Sequence, residues 1–344
     1  MSILAAAAGT VSDSGGLSLT SGVLIGFALL ACLCGAIATG LFRSRSVSGP
    51  LRLLPGYDPL WRLMFASSAG CFIWLASQRF YFAVVHAGDS SAAAATVTET
   101  VLRPRDWAFL STVPLLLGFA ATLAADTAML GSSGVERLGM RRHRLRGAAM
   151  GLLGIIIAFP LVFFVSEITE SIYQTLHYSH PQEHELLKVM GDSGTGFARV
   201  ALIFGAVILA PLFEETLFRG HLQTFLRELF CRLSGVLPVI PASSPPGLLD
   251  PGLAYAQAGP AALIDPGSTS ITPARPVGWQ TWLAILLASA LFALVHPAWM
   301  RPTIFFLAIC LGYAYERTGN LWTNVVMHAI FNAVNTALFL QTDH

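Results

Sequence analysis

Eight apolar stretches, each close to the length of helix that crosses a lipid bilayer, constrain this chain more than any other feature. A hydrocarbon layer about 30 Å thick is crossed by about 20 apolar residues at a rise of about 1.5 Å per residue. Runs near that length fall at 22–42, 62–86, 106–130, 147–168, 198–222, 280–298, 302–317 and 321–340. Backbone in lipid must satisfy its own N–H and C=O groups, which leaves helices and closed barrels, and runs this long select helices. The expected fold is therefore all-α, a polytopic transmembrane bundle of about eight helices. Charge agrees: Asp, Glu, Lys and Arg make up 11% of the chain and hydrophobic residues 54%, where a soluble globular chain carries about 25% charge. A net charge of +1 supplies no basic field for nucleic acid, so the lipid bilayer is an expected partner and nucleic acid is not.

The five cysteines, Cys32, Cys34, Cys71, Cys231 and Cys310, show no CxxC or metal-finger spacing and read as small packing residues. Residues 1–20 lack the basic stretch that precedes the apolar core of a secretory signal, so no cleaved signal peptide is expected. Arg43, Arg45 and Arg52 follow the first run, and Arg137, Arg141, Arg142, Arg144 and Arg146 follow the third. Such Arg-rich loops are retained in the cytoplasm, which places the N-terminus outside. Residues 1–105 form an N-terminal transmembrane region of unassigned role, and 106–344 form the functional bundle. Within the latter, 234–278 carries nine prolines among many Gly, Ser and Ala residues, too little apolar surface to fold alone, and reads as a flexible insertion. Before it, 221–235 sets Leu222, Phe225, Leu226, Leu229, Phe230 and Leu233 on one helical side and reads as an amphipathic extension lying at the interface. The small-residue segment GAAMGLLG at 147–154 allows close helix approach.

Three groups of polar residues interrupt the apolar runs of the second half. The segment APLFEETLFRG at 210–220 carries Glu214, Glu215 and Arg219. A charge near the centre of a membrane helix costs roughly 2.5–3.5 kcal/mol on insertion scales, so these side chains need a protein interior or a water cavity. Glu215 and Arg219 are four apart and can pair along one face, leaving Glu214, about 100° away, for another task. The segment SALFALVHPAW at 289–299 places His296 four residues after Phe292, and LWTNVVMHAIFNAVN at 321–335 places Asn324, His328, Asn332 and Asn335 on one stripe. Each group has a bland alternative, as snorkelling cluster, packed histidine or helix–helix glue. Together they supply a carboxylate, two imidazoles and an amide, a set able to perform general-base hydrolysis and to hold an oxyanion.

EETLFR at 214–219, FALVH at 292–296 and HAIFN at 328–332 resemble, in order, the EExxxR, FxxxH and HxxxN/D motifs of the CPBP family, which joins type II CAAX prenyl endopeptidases to bacteriocin-processing and immunity proteins. The resemblance covers roughly 135–340. It implies an intramembrane, glutamate-dependent endopeptidase acting on a membrane-associated protein or peptide, in which Glu214 and His296 activate water, His328 and Asn332 hold the oxyanion, and Glu215 with Arg219 supports the site. It also implies a multi-pass protein of the cell membrane, in a bacterium its inner membrane. With HExxH absent, metal-free general-base chemistry and no cofactor are expected, and the cluster His177, His180, Glu183 and His184 reads as a solvated loop. The competing function is a non-hydrolytic scaffold, immunity factor or transporter using the same polar groups. If every run is a full antiparallel span, Glu214 and His328 lie toward the cytoplasmic side and His296 near the opposite end of its helix.

Overall fold

A computed structural model describes residues 60–85, 103–130, 138–140, 144–179, 185–192, 196–234 and 278–341. The run at 22–42, the interior of the 234–278 insertion, Arg43, Arg45, Arg52, Arg137, Arg141, Arg142, and His180, Glu183 and His184 lie outside the described residues.

The described chain is helical throughout, as its apolar periodicity requires: α1 (Trp61–Val85), α2 (Pro104–Leu110), α3 (Val113–Leu130), α4 (Arg144–Thr175) and α5 (Glu185–Asp192) precede a long composite helix. That helix runs as α6 (Phe197–Phe204), a π-helical segment π1 (Gly205–Leu209), α7 (Ala210–Glu215), a second π-helical segment π2 (Thr216–Gln223) and α8 (Thr224–Leu233). After the insertion come α9 (Trp279–Leu294), α10 (Arg301–Thr318) and α11 (Leu321–Gln341). Among the described residues, four helical stretches are long and apolar enough to cross a membrane: Pro104–Met129, Arg144–Thr175, Phe197–Cys231 and Leu321–Gln341. Many large apolar side chains, such as Phe72, Phe80, Ile156, Val200 and Leu291, point outward, the arrangement lipid favours and water does not. The protein is a multi-pass, all-α membrane protein.

Helices α4, α10 and α11 enclose the central core, in which Ile155, Ala158, Val162, Leu307, Leu311, Met327 and Phe331 interlock. Their closeness depends on the glycines of α4. A Cβ at Gly151 would stand 2.7 Å from the Thr323 carbonyl oxygen and 2.8 Å from Val326 Cβ, and one at Gly154 would meet Met327 Sδ at 2.7 Å. Gly151→Leu is therefore expected to push α4 off α11, at the roughly 1–3 kcal/mol of an overpacked core, read as a lower thermal-unfolding midpoint in detergent. Between α10 and α11 the turn is made by Gly319, whose φ of 60° ends α10 in the left-handed conformation.

One sequence expectation needs correcting. The run 280–298 is not a full span: α9 ends at Leu294, and His296 lies in the turn beyond it, before Pro297 and a short 3-10 turn. Proline disfavours helical geometry in the residue before it, which halts the helix. The sixteen residues of α9 reach about 24 Å at 1.5 Å per residue, less than a bilayer core. Its end therefore does not carry His296 to the far side of the bundle. The amphipathic stretch is an extension of the preceding helix, since α8 continues from π2 without a break, and Arg227 docks it by donating to Glu316 of α10 at 3.1 Å.

Candidate active site

The two glutamates stand at the end of α7, a six-residue α-helical stretch with a π-helical segment on either side. π-Helical turns are rare and recur at functional sites, because the wider turn re-aims side chains and frees carbonyls. Glu215 is fully buried and at the centre of the polar contacts: Arg219 Nε lies 3.2 Å from its Oε2, and His328 Nδ1 lies 2.9 Å from its Oε1. Asn324 Nδ2 donates to Glu215 Oε2 at 3.4 Å and to the Leu311 carbonyl at 2.6 Å. Because Nδ1 of His328 faces a carboxylate it carries a hydrogen, and Nε2 is directed to the other side. On that other side is Glu214, whose Oε2 is 3.9 Å from Nε2. The two carboxylates differ sharply in access: the Glu214 side chain is 26% exposed and that of Glu215 is 0%.

Phe292 links the remaining groups. Arg219, sealed at 1% exposure, donates from Nη2 to the Ala308 carbonyl at 3.2 Å, and its guanidinium carbon sits 4.6 Å from the centre of the Phe292 ring. The same ring meets His296 at 4.7 Å and His328 at 5.8 Å between centroids. Phe218 closes the other edge at 4.9 Å. Thus the phenyl ring of FALVH lies against both histidines and the arginine. His296 is fixed by its own backbone neighbourhood, Nδ1 donating to the Phe292 carbonyl at 2.7 Å, while Arg301 Nε holds the His296 carbonyl at 3.1 Å. This leaves His296 Nε2 as the ring nitrogen with the lone pair.

The stripe on α11 divides by task. Asn324 and His328 serve Glu215, Asn335 donates back to the Phe331 carbonyl at 2.8 Å, and Asn332 donates from Nδ2 to the Ala206 carbonyl in π1 at 2.8 Å. Glu214, Glu215, Arg219, His296 and His328 thus form one connected neighbourhood, and Asn332 lies at its edge with an amide hydrogen committed to backbone. Among the described residues no group of three His, Cys, Asp or Glu side chains is placed to hold a metal ion. On each histidine Nε2 is the ring nitrogen left open, because His328 Nδ1 is held by Glu215 and His296 Nδ1 by a backbone carbonyl.

A further buried pair escaped the sequence reading. Asp126 of α3 and His221 of π2 are almost fully buried, with His221 Nε2 3.0 Å from both Asp126 oxygens and Nδ1 2.7 Å from the Thr216 carbonyl. Both ring nitrogens face acceptor oxygens, so making both bonds requires a proton shared by the pair beyond that of a neutral imidazole. An acid inside the apolar run 106–130 was the legible signal, since a carboxylate there needs a partner. Asp126→Ala is expected to destabilise the protein by about 3–5 kcal/mol, as when one member of a buried pair is removed, seen as a large fall in detergent-stable yield.

A model of the type II CAAX prenyl endopeptidase family, Rce1-like, matches residues 269–334. That segment takes in His296, His328 and Asn332 and begins after the glutamate motif at 214–219, so the second and third motifs fall within the matched range and the first lies outside it. The match bears out the likeness to CPBP-type intramembrane proteases first seen in the three motifs. No curated protein and no solved structure matches the chain.

Proposed function

We propose that the protein is an intramembrane endopeptidase that hydrolyses a peptide bond of a membrane-associated protein or peptide, with Glu214 as general base. The observation that carries this reading is the placement of His328, whose Nδ1 is held by the sealed Glu215 while Nε2 faces the partly open Glu214 across 3.9 Å. A gap of that size suits a bridging water better than a direct bond. Glu214 removes a proton from that water as its oxygen attacks the peptide carbonyl carbon, and His296, through Nε2, shares in orienting it. The tetrahedral intermediate places negative charge on the former carbonyl oxygen. His328 in its doubly protonated form supplies Nε2–H to that oxygen, and the second amide hydrogen of Asn332 is the other donor. Collapse breaks the C–N bond, and the proton held by Glu214 passes to the leaving amine. Glu215 and Arg219 take no part in proton transfer; they hold the His328 ring and balance its charge.

The experiment is quantitative proteomics of membranes carrying wild-type or Glu214→Gln protein. One or more membrane peptides should be cut only with wild type, and the cleavage should persist in the presence of a chelator. No difference between the two membranes overturns the hydrolase reading in favour of a scaffold, and cleavage abolished by chelator and restored by zinc overturns the metal-free mechanism.

A further inference from the structure

We infer that Asn332 stands in for the backbone N–H that Pro211 lacks, and that this substitution positions the two glutamates against His328. In π1 the backbone bonds run five residues back: Ala210 N–H donates to the Gly205 carbonyl. The next bond of that ladder would run from residue 211 to the Ala206 carbonyl, and residue 211 is proline, which has no hydrogen to give. A carbonyl left open within an apolar helix is costly, because lipid offers no replacement donor. The Ala206 carbonyl instead accepts from Asn332 Nδ2 at 2.8 Å, across from α11.

The consequence for the site follows from adjacency. Pro211 is the second residue of α7 and Glu214 and Glu215 close it three and four residues later, while His328 precedes Asn332 by four on the same stripe of α11. The Asn332 bond to Ala206 and the His328 bond to Glu215 are therefore two rungs joining the same pair of helices. The first rung sets the rotation and height of α7 at which the second can form. Asn332 is in this respect a positioning residue, whatever its second amide hydrogen does at the reacting carbonyl. The stability part of the inference is independent of the proposed hydrolysis; the effect on turnover rests on it.

A double-mutant cycle tests the substitution, because Pro211→Ala restores a backbone N–H at the position where Asn332→Ala removes the surrogate. Asn332→Ala alone should lower the thermal-unfolding midpoint in detergent and reduce kcat with little change in KM. Adding Pro211→Ala should recover the midpoint and the part of kcat lost through misplacement of α7, the part owed to the oxyanion donor staying lost, with a coupling of at least about threefold in the folded-to-unfolded ratio, within the range for residues that share one bond. Asn332→Asp, which sets an acceptor against the Ala206 carbonyl, should behave like Asn332→Ala and be rescued in the same way, so one unstable variant does not block the test. Additive effects of the two substitutions on stability overturn the inference. Recovered stability with no part of kcat regained confines the cap to folding and overturns its positioning role, leaving Asn332 to act at the reacting carbonyl alone. If wild type cleaves nothing in the membranes, the hydrolase reading fails while the stability cycle still decides the cap.

Discussion

Glu214→Gln protein should fold, insert and resist heat as wild type does, yet lose turnover. The substitution keeps the shape of the side chain and removes only its capacity to take a proton. Its side chain is the exposed member of the pair, so no buried charge loses its partner. A positioned general base is worth about 10²- to 10⁴-fold in rate, and kcat should fall by at least that range while binding is little changed. The comparison is made on the peptide whose cleavage depends on wild type, with unfolding midpoints measured alongside. Cleavage by Glu214→Gln at the wild-type rate would remove Glu214 from the proposed role.

Glu215→Gln should produce the opposite balance. Here the carboxylate is sealed from solvent and answers Arg219, His328 and Asn324 together. A neutral amide leaves Arg219 buried against Phe292 without the carboxylate it pairs with, and removing one partner of a buried pair costs roughly 3–5 kcal/mol. Low yield and a strongly depressed unfolding midpoint are expected, and the fraction that folds should also turn over slowly because His328 loses the acceptor that orients it. The two neighbours in the chain thus give separable phenotypes, one chemical and one structural. A Glu215→Gln protein as stable as wild type would show that Arg219 does not depend on it.

The separation of those roles was half visible in the chain. A four-residue spacing on a helix is enough to put Glu215 and Arg219 on one face and Glu214 on another, and the pair is found at 3.2 Å. The same local geometry put Asn324, His328, Asn332 and Asn335 on one stripe of α11, and the apolar runs alone dictated an all-α membrane bundle. Each of these depends on neighbours within one or two helical turns, where helix periodicity leaves little freedom.

What crosses between helices was decided by packing. Spacing could not show that His328 would bind the sealed Glu215 by one nitrogen and face Glu214 by the other, nor that Phe292 would lie against both histidines and Arg219. The depth of His296 turned on where α9 stops, and Pro297 stops it early enough that taking 280–298 as a full span misplaced the residue. Asp126 and His221 are 95 residues apart in the chain, and their bond exists because π2 turns the imidazole inward beside α3. Periodicity fixes the face a side chain occupies on its own helix; the partner it meets depends on how far each neighbouring helix is rotated, shifted and ended, which only the assembled bundle determines.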